Sequence, residues 1–192
     1  MSLFDNRYPE ASNIVVGTLS EAKRDYKMFH AVISIEDIVG SQGLRTKDTE
    51  QLVLAFDDIE SPAGDIRAVS EHHVKNALEF ARTHQNRMVL VHCHAGQCRS
   101  PAIALAIIAD RMGQGREIEA VDALKVVRRW ATPNKLVVQI ADKVLHRNGA
   151  LVSALEKYGN KITRLGSVGL LKSASENKNY YSWNDRRVIN SE

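Results

Sequence analysis

Short runs of branched apolar residues alternate along the chain with longer segments whose apolar positions recur at helical spacing. The runs 14–16, 31–35, 52–56 and 88–91 are of strand length, and their near-continuous apolarity is that of strands covered on both faces. The helical period predicts helices over Ser20–Phe29, Ser70–His84, Ser100–Met112, Glu117–Trp130, Lys135–Arg147 and Leu151–Tyr158. Ser70 and Asn134 stand where N-caps belong, and Gly149 where a helix stops. Strands alternating with helices predict an α/β fold, with a central, mainly parallel sheet of four to five strands flanked by helices. From Ser100 onward the pattern is all helical, so the sheet is expected to be complete by Val91.

In an open parallel sheet, ligand sites form outside the carboxyl ends of the strands. Cys93 follows the fourth run directly, Asp57 and Asp58 follow the third, and Glu36 and Asp37 follow the second. Three strand ends therefore send reactive groups toward one edge.

Composition places this pattern in a setting. A chain of 192 residues, 44% hydrophobic and 26% charged, suffices for one domain with a buried core, expected over residues 1–159. Residues 160–192 hold six basic and three acidic side chains, which is the whole net charge of +3, and they show no sustained period. They read as a polar, slightly basic, solvated tail, so no nucleic-acid partner is expected. Only two cysteines occur, both between Met88 and Ala109, which argues against a disulfide framework and for a reducing compartment. The opening MSLFDNRYPE has no apolar signal core, and the apolar run Pro101–Ala109 falls far short of the roughly 20 residues that span a membrane. The expected location is cytoplasmic, with no membrane partner. Nothing in the sequence sets an oligomeric state.

The chemistry concentrates in one loop. From Cys93 the chain runs Cys-His-Ala-Gly-Gln-Cys-Arg, and Ser100 opens a helix. A loop curled around a helix N-terminus turns its backbone N–H groups inward as an anion nest, and Gly96 permits the turn. Arg99 adds a planar fork suited to two oxygens of a phosphoryl group. The same field favours the thiolate of Cys93, and a thiolate at the floor of an oxyanion cradle is a nucleophile for phosphoryl transfer. His72 and His73 are adjacent on a helix and point to different sides, and His92 and His94 have no second ligand cluster, so no metal and no cofactor is expected. Trp130, Tyr180 and Tyr181 read as packing or tail residues.

HCHAGQCRS, residues 92–100, resembles the signature loop of the cysteine-dependent protein tyrosine phosphatases, His-Cys-x5-Arg-Ser/Thr, in their compact dual-specificity branch and its bacterial relatives. TPNKLVVQI, residues 132–140, is similar to the Pro-Asn and Gln-Leu segment with which those proteins open a late helix; the resemblance covers roughly residues 13–147. It implies Cys93 as nucleophile, Arg99 as phosphate clamp and Ser100 as the hydroxyl that helps the thiolate depart. His94, Ala95, Gly96, Gln97, Cys98 and Arg99 would bind phosphate through the loop, with His92 and Asn134 as structural support. The partner it implies is a phosphorylated protein or a small phosphate monoester. CRSP, residues 98–101, also resembles the loop end of the low-molecular-weight tyrosine phosphatases, but no proline here follows an aspartate, as that branch's acid requires.

Departure of an alkoxide or phenoxide needs an acid facing Cys93, and Asp57, Asp58, Glu60, Glu36 and Asp37 are candidates. DDIESPAGD, residues 57–65, has the Pro and Gly of a loop that closes over a pocket. On an extended strand exit Asp57 and Asp58 cannot both face that pocket; Asp58 is preferred, partly because the resembled family places its Asp just past the strand. Cys98 has two readings, a thiol that traps oxidised Cys93 or a small side chain behind the loop. A lipid phosphatase of the same fold and a non-catalytic phosphate-binding module are the alternatives in function.

Overall fold

A computed structural model describes residues 7–39, 43–61 and 67–157. The tail, the boundary at 159, Tyr180, Tyr181 and residues 62–65 of the acid-loop segment lie outside the described residues.

Four parallel strands make one sheet in the order β1-β4-β2-β3, with β1 Ile14–Gly17, β2 Ala31–Glu36, β3 Glu50–Ala55 and β4 Val89–His92. The register sets Gly17 of β1 and Ser34 of β2 on either side of His92. Cys93 therefore leaves the sheet at its carboxyl edge, between the two neighbouring strand ends.

Alternation along the strands divides the core. Ile14, Val16, Ile33, Ile35, Leu54, Val89 and Val91 face the main cluster, built with α2 (Glu71–Thr83), α3 (Arg99–Met112), α4 (Glu117–Val127) and α5 (Lys135–Val144). Val32 and Leu90 face the other side, packed with Ala22 of α1 (Leu19–Asp25), Phe29 and Leu44. Helix α3 is apolar all round because it is covered all round: Ala102 to Ala109 are at most 1% exposed. Among the described residues no helix is long and apolar enough to cross a membrane.

Four elements differ from the sequence pattern. Strand β3 is one of the two outer strands, and there Val53 is exposed and only Leu54 is buried, whereas β4 is buried throughout and only Glu36 of β2 is not. Helix α1 tightens into a 3-10 turn at Tyr26–Met28. Helix α4 ends at Val127, not Trp130, because the next residues are drawn out of helical geometry over the Cys93 loop. Lys125 Nζ donates to Ala131 O at 2.6 Å, and Thr132 N–H to Gln97 O at 2.9 Å. Helix α5 ends at Val144 and Gly149 does not stop it; Gly149 instead precedes the helical residues 150–157, its N–H donated to the buried Asp142 carboxylate at 2.6 Å.

Candidate active site

The loop from Cys93 to Arg99 is held by its carbonyls. His94 O accepts the Leu19 N–H at 3.1 Å, Gln97 O accepts the Thr132 N–H at 2.9 Å, and Cys98 O accepts the Asn134 N–H at 3.1 Å. A planar trans peptide points its C=O and the following N–H in opposite directions. Outward carbonyls at 94, 97 and 98 thus turn the N–H groups of Ala95, Cys98 and Arg99 to the concave side. Gly96 makes the bend at φ +67°, and a Cβ there would meet Gly17 O at 2.8 Å, so both its dihedral and its clearance require glycine.

Cys93 is 3% exposed at the floor of this loop. Its Sγ accepts the Gly96 N–H and the Ser100 hydroxyl, each at 3.2 Å. Arg99, 4% exposed, opens α3, and its guanidinium reaches the exits of β2 and β3. One terminal nitrogen bridges Phe56 O and Asp37 Oδ1, both at 2.8 Å. Its Nε is buried without a hydrogen-bond partner among the described residues; Asp58 Oδ2, at 3.9 Å, is beyond hydrogen-bond reach. A buried N–H donor left open costs about 1–3 kcal/mol, and an anion seated in the loop would satisfy it.

The acid candidates separate. Asp57 turns away from the loop: it accepts the Ile38 N–H at 2.9 Å and pairs with Arg67 at 3.2 Å. Asp58 turns toward it, held by Asn134 Nδ2 at 2.7 Å. Glu60 accepts the Lys135 N–H at 3.3 Å, and Glu36 pairs with Arg45. Asp37, weighed above as an acid, is instead the ion-pair partner of Arg99. Asn134 caps α5, its Oδ1 accepting the Val137 N–H.

His92 supports the loop from beneath through partners the sequence reading missed. Gln51 Nε2 donates to Ser34 Oγ at 2.7 Å, which leaves the Ser34 proton for His92 Nε2 at 2.7 Å; Nδ1 then carries the ring hydrogen toward Cys93 O at 3.4 Å. The one sequence signal was Ser34 itself, a hydroxyl inside a buried apolar strand. Burial pushes the His92 imidazolium down to about 4. Its native value lies below that of the unfolded chain, so its contribution is intact above pH ~6.5 and is lost as pH falls toward ~4, on the order of 3 kcal/mol in all. Urea midpoints measured across that window should fall more steeply for the parent than for His92→Asn; equal slopes would assign the acid sensitivity elsewhere.

Cys98 is a second free thiol, half-buried, with Sγ 3.7 Å from Thr132 Oγ1; burial foremost pushes it up. His94, Ala95 and Gln97 are exposed at the loop rim. A cavity of about 20 Å³ beside Cys93 is bounded by Leu19, Asp37 and His94. A larger one, about 310 Å³, lies between α2 and α3 around Arg82, Asp110 and Arg111, remote from these groups. No group of three or more His, Cys, Asp or Glu among the described residues is arranged to hold a metal ion.

No protein-family model and no curated protein sequence matches the chain. Solved structures do. The human tyrosine phosphatase-like serine/threonine/tyrosine-interacting protein is 21% identical, with a TM-score of 0.55 over 68% of this chain and 89% of that one. Human DUSP28 is 20% identical, at 0.53 over 72% and 94%. PTPMT1, solved with PI(5)P, is 19% identical, at 0.52 over 71% and 94%. The likeness is one of architecture: the chain has the fold of the dual-specificity and tyrosine phosphatases.

Proposed function

We propose that this protein hydrolyses phosphate monoesters, phosphotyrosine and phosphoserine or phosphothreonine of proteins foremost, through a cysteinyl-phosphate intermediate. The observation that carries the reading is the Cys93 sulfur on the floor of an inward-facing N–H loop, beside a buried guanidinium with an open donor. In the first step a Cys93 Sγ lone pair forms the S–P bond while the P–O bond breaks toward the leaving oxygen. Arg99 and the loop N–H groups hold the equatorial oxygens, where the transition-state charge collects. Asp58 protonates the leaving oxygen. In the second step water attacks phosphorus, Asp58 takes its proton, and the thiolate departs onto the Ser100 hydroxyl and the Gly96 N–H.

A phosphoinositide substrate is disfavoured by charge. Between Cys93 and Arg99 the loop carries no lysine or arginine to meet a second phosphate.

Incubation with p-nitrophenyl phosphate tests the reading. Steady release of nitrophenol with inorganic phosphate, inhibited competitively by tungstate, is the expected result. Stoichiometric tungstate binding without turnover would replace it with a phosphate-binding module.

A further inference from the structure

Asn134 is 1% exposed and uses every hydrogen-bonding group it has. Its backbone N–H goes to Cys98 O at 3.1 Å and its Oδ1 accepts the Val137 N–H at 3.1 Å. Its two amide hydrogens go to Asp58 Oδ1 at 2.7 Å and Ile59 O at 3.2 Å. The amide orientation is forced: a flipped amide would set an oxygen against two oxygens and an NH2 against an N–H.

The cap alone does not explain an asparagine. Ser, Thr or Asp would cap α5 as well. What only the amide adds is a pair of donors on the Asp58 side, and the one on Oδ1 decides how a protonated Asp58 is built. A hydrogen on Oδ1 would face the incoming N–H, so Oδ1 stays the carbonyl oxygen and the hydroxyl hydrogen belongs to Oδ2. Oδ2 is the oxygen nearest Arg99 Nε, on the pocket side. Of the other ionisable groups of this corner, Glu60 faces the Lys135 N–H and Asp57 faces Ile38 and Arg67, while the Cys98 thiol, pushed up by burial foremost and also by Asp58, is a further neighbour of that carboxylate.

We infer that Asn134 is a positioning residue that assigns the transferable proton of Asp58 to Oδ2, the oxygen facing the scissile bond. This rests on the reading of Asp58 as general acid. As the P–O bond breaks, its electron pair passes to the ester oxygen, which takes the Oδ2 hydrogen; the O–H pair stays on Asp58 as carboxylate.

Asn134→Ser and Asn134→Asp both keep a capping oxygen, and both lose the amide donor. Each is assayed on phosphotyrosine, whose phenoxide needs the proton, and on p-nitrophenyl phosphate, whose leaving group does not. For Asn134→Ser, kcat on phosphotyrosine should drop about tenfold more than on the nitrophenyl ester, with KM for both within about threefold of the parent. Asn134→Asp should widen the split, because two carboxyl groups then compete for one corner. Equal losses on both substrates, or none, would overturn the assignment. Asp58→Asn run beside them separates the two readings. If it fails to split the substrates, the acid role falls and Asn134 with it. If it splits them and the Asn134 variants do not, only the proton assignment falls.

Discussion

A Cys93→Ser variant should lose p-nitrophenyl phosphate turnover by about 10⁴-fold or more, which is about 5.5 kcal/mol of barrier, while binding tungstate nearly as tightly as the parent. The split follows from what each atom does. On the proposed reading the anion is held by loop N–H groups and by Arg99, whose anchors do not involve sulfur: the loop carbonyls rest on Leu19, Thr132 and Asn134, and Arg99 on Phe56 and Asp37. The nucleophile depends on it entirely. The Cys93 sulfur has two donors at 3.2 Å aimed at it, whereas a serine hydroxyl there has no base to take its proton. Of the candidate acids, Asp58 is held by Asn134 and Asp37 by Arg99. Turnover by Cys93→Ser within tenfold of the parent would sink the covalent mechanism. Loss of tungstate binding with an unchanged thermal midpoint would mean that sulfur builds the cradle and that the loop N–H groups do not suffice.

What the sequence made legible here is local, and what it hid is long-range. The strand-loop-helix order around Cys93 follows from adjacent residues, since an apolar run, a glycine and a second apolar run of helical length each state their own geometry. The parallel sheet followed from alternation, and the exposure of its outer strand β3 did not: Leu52–Phe56 reads like Met88–Val91, yet Val53 is left uncovered. The same division runs through the site. Alternation along the strand exit says that Asp57 and Asp58 face opposite ways, but which one faces Cys93 depends on Ile38, Arg67 and Asn134, 19, 10 and 76 residues from their carboxylate partners. The Asp37–Arg99 ion pair joins the exit of β2 to the first residue of α3, a long-range contact that no local pattern records. The early end of α4 is set by Gln97 and Ala131, because helical propensity across Arg128–Trp130 is outweighed by contacts that draw this segment over the loop.

Asp58→Asn should divide substrates by their leaving groups. On phosphotyrosine, whose phenol has a pKa of about 10, an unassisted phenoxide departs slowly, and removal of a positioned acid costs about 10²–10³-fold in kcat. On p-nitrophenyl phosphate the departing oxygen holds its charge without a proton, so the loss should be tenfold or less. Asparagine is a suitable replacement because it retains the shape and an acceptor oxygen for Asn134 Nδ2 while removing the transferable hydrogen. The pH profile supplies an independent reading: with a general acid in place, phosphotyrosine turnover falls on the alkaline side as the acid ionises, and in Asp58→Asn that limb should flatten. Asp57→Asn provides the contrast. Its carboxylate serves the Ile38 N–H and Arg67, so any loss should fall equally on both substrates, through slackening of the strand exits rather than through the proton. A leaving-group split that appears in Asp57→Asn and is absent from Asp58→Asn would transfer the acid role to Asp57, and with it require the loop after β3 to rotate by one residue in the working enzyme.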